Sequence, residues 1–172
     1  MDRPTLNLDS VVVDASFIIN MYQLSLIAKL CEVFDKVLVT PTVWKECQRI
    51  WEELEHVHCM SQVVLSSEEN EMAEKLHSEF CESYPGFHRG EIEALVLANT
   101  RDCPIVISDN FAPWVVQKRH PEFERIRIYR GFYFVESLLD AKLITSDVVK
   151  QLQGMYPRKV IRRLEQKSQE EK

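Results

Sequence analysis

The sequence predicts an α/β fold with a central, mostly parallel sheet and C-terminal helices, and three observations carry that prediction. Apolar β-branched runs alternate with stretches of helical period along most of the chain. Two of the runs, "VVVDAS" at 11–16 and "PIVISDN" at 104–110, pass from buried-strand composition straight into an aspartate. A length of 172 residues, 45% of them hydrophobic, suits one compact domain with a substantial core.

The elements follow in order. Val11–Val13 is continuous and β-branched, the mark of a strand buried on both faces. The stretch "SFIINMYQLSLIAKLCEVF" reads as one long apolar helix, and "KVLV" at 36–39 as a second short strand. Thr40 and Pro41 form a helix start, a hydroxyl cap followed by proline at the first helical position. The helix they open places Val43, Cys47, Ile50 and Leu54 on one stripe. Ser66 and Glu69 form a capping box ahead of an amphipathic helix. "YPGFHRG" breaks the chain, and "EIEALVLANT" is apolar almost all round, hence a buried helix. Strand "PIVIS", helix "FAPWVVQKR", strand "RIRIY", helix "FYFVESLLDAKL" and two helices around Pro157 complete the chain. The organisation read from this is a body over 1–145 and a basic helical extension over 146–172.

No apolar run reaches membrane-spanning length, and "MDRPTLNLDS" lacks a signal-peptide pattern, which points to a soluble cytoplasmic protein with no membrane partner. Five scattered cysteines without a CxxC read as reduced core thiols. The net charge of -6 hides an asymmetry: residues 1–117 hold 8 Lys+Arg against 19 Asp+Glu, and residues 118–172 hold 13 against 8. An acidic body suits a cationic ligand, and a basic tail suits phosphates.

Open parallel sheets build their sites beyond the carboxyl ends of their strands, which is where Asp14 and Asp109 fall. Glu46 flanks the packed stripe of its helix, roughly 70 degrees from the centre. Glu91 shares a face with Ala94 and Ala98, while Glu93 points about 200 degrees away. Singly, each acid has a structural explanation as a cap, a helix-dipole partner or half of a surface ion pair. Together, four converging carboxylates repel, and the cluster requires protons or a cation; oxygen-only ligands suit Mg²⁺ or Mn²⁺.

The order "VVVDASFII", "TPTVWKE", "HRGEIEALVLA", "VISDN" resembles a PIN-domain protein, closest to the short stand-alone prokaryotic, VapC-like branch in which Gly-Glu replaces the usual third Asp. The resemblance spans roughly residues 10–145. It implies a three-layer α/β/α fold and a metal-dependent endoribonuclease, with Asp14, Glu46 and Asp109 on the family's acidic positions. The third acid is Glu91 or Glu93: the helical wheel favours Glu91, the alignment of "EALVLA" favours Glu93. Ser16 falls on the small hydroxyl position after the first acid, and Asn110 lies beside the last. Two departures stand out, the Glu in place of Asp and the motif "SDN" ahead of Phe111.

The implied partners are RNA, an antitoxin protein and a second copy of the chain. Arg89 stands close enough to Glu91 to meet a substrate phosphate, and Arg158, Lys159, Arg162 and Arg163 form a cationic helix face for an RNA backbone. The alternative is a non-catalytic PIN-like module that binds RNA or protein. A zinc fragment at His56, His58 and Cys59 lacks a second ligand cluster, no Gly-rich phosphate loop occurs, and Trp44, Trp51 and Trp114 read as packing or interface residues.

Overall fold

The computed structural model describes residues 8–170 apart from 102 and 104. Pro104, at the head of the second strand run, and the outer ends of the expected body and tail therefore lie outside the described residues. In chain order the elements are β1 (Leu8–Val13), α1 (Ala15–Gln23), β2 (Phe34–Val39), α2 (Pro41–Glu46), α3 (Trp51–Leu54) and β3 (Met60–Gln62). There follow α4 (Ser67–Cys81), α5 (Arg89–Thr100), β4 (Ile105–Ile107), α6 (Ala112–Arg119), β5 (Arg127–Tyr129), α7 (Gly131–Asp140), α8 (Ser146–Gln151) and α9 (Arg158–Glu170).

The five strands form one parallel sheet in the order β3-β2-β1-β4-β5. Alternation along the strands sorts the core into two layers: Val11, Val13, Val37 and Val39 face one side, Val12 and Leu38 the other. The first layer is closed by residues of α1, α2, α7, α8 and α9, including Phe17, Val43, Phe134, Val149 and Leu164, and by Tyr156 between α8 and α9. The second is closed by α4, α5 and α6, with Leu76, Phe80, Leu95 and Val116. The result is the three-layer α/β/α arrangement, with α5 wholly buried from Gly90 to Ala98. The order in which strands are added reverses at β1, with β2 and β3 on one side and β4 and β5 on the other, so the β1/β4 boundary is the topological switch point where such sheets bind ligands.

Three expectations are corrected. The long helix after β1 stops at Gln23 and resumes as a 3₁₀ turn over Ile27–Glu32. Ser25 adopts φ 56, and the amides of Leu26 and Ser25 bond back to Met21 and Tyr22, a left-handed cap that ends the helix. The helix after Thr40 is also divided: the Cys47 amide is shared between the carbonyls of Val43 and Trp44, and a 3₁₀ turn over Gln48–Ile50 precedes α3. Its stripe survives the break, since Val43, Cys47 and Leu54 are all buried. Finally, not all cysteines are thiols. Cys31 and Cys59 form a disulfide with Cα atoms 5.4 Å apart, which also commits the cysteine of the zinc fragment. Cys47, Cys81 and Cys103 remain thiols, and Cys47 and Cys103 are buried. Strand β3 was not foreseen. "MSQ" has no alternation of its own and is a strand because it pairs with Val37–Val39.

Candidate active site

Asp14 leaves β1 as the cap of α1, accepting from the Phe17 amide at 2.8 Å. Its other donors are hydroxyls: Ser16 at 3.0 and 2.9 Å, and Ser108, at the end of β4, at 2.6 Å. Only 1% of the residue is exposed. Burial pushes its carboxyl up to about 7, against the opposing effect of the Ser108, Phe17 and Ser16 bonds, and the Asp109 charge adds to the rise. The Asp14 amide bonds to the Ile107 carbonyl at 3.1 Å, which locks the two strand ends together.

Asp109 is held from three directions. Asn20 of α1 and the Tyr156 hydroxyl donate to one oxygen at 2.8 and 2.7 Å, and the Gly131 amide, at the start of α7, donates to the other at 2.8 Å. Glycine is required there. A Cβ on residue 131 would stand 2.6 Å from the Tyr156 hydroxyl, 2.7 Å from Phe17 and 3.0 Å from the Asp109 carboxylate. Burial and the Asp109 charge push the Tyr156 phenol upward, so it stays protonated and donates to Asp109. Arg130 donates to the Asp109 carbonyl.

The two glutamates of α5 enter different groups. Glu91 accepts from the His88 amide at 2.8 Å and from the Asn110 side chain, so it leans toward the residue beside Asp109. Burial raises its carboxyl above the usual range, and the Glu46 charge contributes to the rise. Glu93 turns to α2, accepting from the Thr42 hydroxyl at 2.7 Å, the Thr42 amide at 3.3 Å and Arg89 at 2.8 Å. Glu46 ends α2 above Gly90, whose missing side chain leaves room: a Cβ there would lie 3.5 and 3.6 Å from the Glu46 oxygens and 3.0 Å from Val43. Burial raises the Glu46 carboxyl as well, opposed by His88 and reinforced by Glu93.

Asp14, Glu91 and Asp109 make no ion pair among the described residues. Nor does any group of three or more His, Cys, Asp or Glu among them stand close enough to hold a metal ion as arranged. No described helix is long and apolar enough to cross a membrane.

The cationic candidates divide. Arg89 pairs with Glu93 and, at 3.4 Å, with Glu74. Arg163 pairs with Glu136 and lies over the Tyr133 ring, and Lys167 pairs with Glu136 and Asp140. Arg158 and Arg162 line an open cavity of about 720 Å³ beside Tyr156, and Lys159 is exposed. Sequence reasoning missed Asn20, Ser108, Gly131 and Tyr156. A polar residue inside an apolar helix marked Asn20, and a hydroxyl directly before Asp109 marked Ser108; nothing local marked Tyr156.

Comparison with known proteins adds a family. A family model described as a PIN domain matches residues 10–155. Neither the curated proteins nor the solved structures gave a match. With its parallel sheet, helical layers and paired strand-end aspartates covered by that match, the chain belongs to the PIN-domain family, a nuclease-type fold.

Proposed function

We propose that the protein is a metal-dependent endoribonuclease that hydrolyses RNA phosphodiesters, as a VapC-like toxin or an RNA-processing nuclease. One observation carries the reading: at the switch point of a PIN-domain sheet, Asp14 and Glu91 are buried without an ion pair among the described residues, and burial lifts their carboxyls, at Glu91 even against the nearby His88. Such groups take a proton or a cation.

The donor set fits Mg²⁺ or Mn²⁺, being hard oxygen throughout with no thiolate or imidazole. Asp14 and Asp109 would be the direct ligands, with Glu46 and Glu91 holding a second ion or a bound water. What the ion supplies when bound is positive charge against the phosphodiester and an acidified water. The chain's own residues do the positioning. Ser16 and Ser108 fix Asp14, Asn20, Tyr156 and Gly131 fix Asp109, and Asn110 fixes Glu91. Glu93 has a supporting part, anchoring the start of the helix that ends in Glu46. A carboxyl lifted toward neutrality, as in Glu46 and Glu91, suits proton acceptance from the attacking water.

In this reading 1–145 is the nuclease body and 146–172 its basic extension, with Arg158, Lys159 and Arg162 toward the RNA backbone. Arg89 and Arg163 are occupied by carboxylates. The toxin form of the reading brings with it an antitoxin protein, a homodimer and a cytoplasmic location. A second reading, a non-catalytic RNA- or protein-binding module, is favoured by the separation of the acids as arranged. Purified protein incubated with single-stranded and structured RNA under Mg²⁺, Mn²⁺ or chelator separates the two. Cleavage only with metal, lost in Asp14→Asn, supports the enzyme; RNA binding with no cleavage under any condition supports the module.

A further inference from the structure

Beside the acidic centre the same end of the sheet opens a second cavity, of about 430 Å³, lined by Phe111, Trp114, Ile128, Arg130, Phe132 and Tyr133. It adjoins Asp109 along two routes. Arg130 donates to the Asp109 carbonyl while its guanidinium lies over the Trp114 ring, 4.8 Å from the centroid. On the other wall Phe132 stacks on Tyr133 at 4.3 Å and meets edge-on, at 5.8 Å, the Tyr156 ring whose hydroxyl holds Asp109.

The aromatic residues here differ from those of the core. Phe17 and Phe134 are fully covered, whereas Phe111 is 46% exposed although its edge touches Phe87, and Trp114, Phe132 and Tyr133 are half-buried. Arg130 makes no carboxylate ion pair among the described residues. Arg130 covers a face of Trp114 while Phe132 and Arg163 lie against Tyr133, which leaves Phe111 as the exposed ring; an exposed aromatic beside a guanidinium suits a flat π-system that carries negative charge, and a nucleobase on its phosphodiester backbone has both properties. The volume lies in the range of small-ligand sites.

We propose, resting on the reading of the acidic centre as an RNA-cleaving site, that this cavity is the subsite for the nucleobase flanking the scissile phosphate. Phe111 is its stacking surface, and Trp114 with the Arg130 guanidinium over it forms the charged wall beside the adjoining backbone. The substrate is then single-stranded at the cut, because a base inside a duplex has no free face to stack. Trp114, expected from sequence to be a packing residue, becomes a wall of the subsite.

The test uses the full chain in chelator, where no metal-dependent cleavage occurs, with two probes: a short single-stranded oligoribonucleotide and an abasic oligomer of the same length and charge. Tryptophan fluorescence and anisotropy are followed together. The base-bearing oligomer is expected to bind more tightly than the abasic one and to quench the fluorescence. Phe111→Ala should weaken base-bearing binding by about 5- to 150-fold and leave abasic binding unchanged; Phe111→Trp should restore it. Trp114→Phe should keep binding and lose the quench, since Trp44 and Trp51 pair with each other on α2 and α3. Equal weakening of both probes by Phe111→Ala, or none, overturns the subsite. If wild-type protein cuts RNA with Mn²⁺ but binds both probes alike, the subsite falls and the acidic centre stands; if it binds neither and cuts nothing, both fall.

Discussion

Glu69 and Glu136 are about as little exposed as Glu91, with 3% and 6% of the residue exposed against 3%, yet their carboxyls move the opposite way. Bonds from Arg101 bring Glu69 down to about 2, with help from Thr100 and the Ser66 amide. At Glu136 burial works upward, but Arg163 and Lys167 outweigh it and leave the carboxyl below its usual range. The sheet-edge acids Asp14 and Glu91 have hydroxyls, amides and a carboxamide around them and are held high. Exposure is alike in both regions, but the edge acids sit deeper below the surface, and they differ as well in whether the fold gives them an ion pair. The distal carboxylates are finished structural pairs; in the proposed reading the edge carboxylates take a cation from outside the chain.

Several substitutions break or sharpen that contrast. The largest effect is on chemistry: Asp14→Asn or Asp109→Asn should lower metal-dependent RNA cleavage by at least about 100-fold, measured as initial rates on one RNA. Next comes stability, where the two regions should respond with opposite signs. Glu69→Gln removes the charge that Arg101 pairs with and should destabilise by about 1–3 kcal/mol in urea unfolding at neutral pH. Asp14→Asn keeps an equally good cap on α1 and relieves a buried charge, so in chelator at pH 8 it should be neutral or stabilising. A loss of stability in Asp14→Asn comparable to that in Glu69→Gln would place Asp14 with the structural acids.

The pH dependence carries the same contrast. The folded value of Asp14, about 7, lies above its ordinary 3.8, so the native state holds the extra proton; this contribution is full below about pH 4 and is lost as pH rises to 7. Glu69 lies below its ordinary 4.5, and its contribution is full above that value and lost as pH falls toward 2. Metal-free stability should therefore decline toward both ends, with Asp14→Asn flattening only the neutral limb and Glu69→Gln only the acid limb. The smallest effect is Tyr156→Phe, which removes one hydrogen bond to Asp109 and should cost about 1 kcal/mol.

The sequence was most informative where one element carries its own signal. Asp14 and Asp109 end β-branched runs, Thr40-Pro41 and Ser66-Glu69 cap their helices, and α5 is apolar all round, so these were legible locally. Less was legible where the outcome depends on distant partners. Tyr156 reaches Asp109 across 47 residues only because α8 packs into the core. Arg163 shares a helix face with Arg162, and nothing in that spacing reveals that Glu136 takes it. The Cys31–Cys59 bridge closes a separation of 28 residues with no spacing motif to announce it. At the third acid the wheel and the alignment disagreed because both glutamates of α5 are buried; only their partners, Asn110 for one and Thr42 with Arg89 for the other, tell them apart.

Calorimetric titration of Mn²⁺ into the metal-free protein near neutral pH, repeated in buffers of different ionisation enthalpy, tests most directly whether the edge carboxylates await an external charge. A binding isotherm with proton release is expected, because a cation displaces the proton that burial keeps on Asp14. Binding should be lost in Asp14→Asn and unchanged in Glu69→Gln. An isotherm that survives Asp14→Asn, or no binding by the wild-type protein at millimolar Mn²⁺, would contradict that reading.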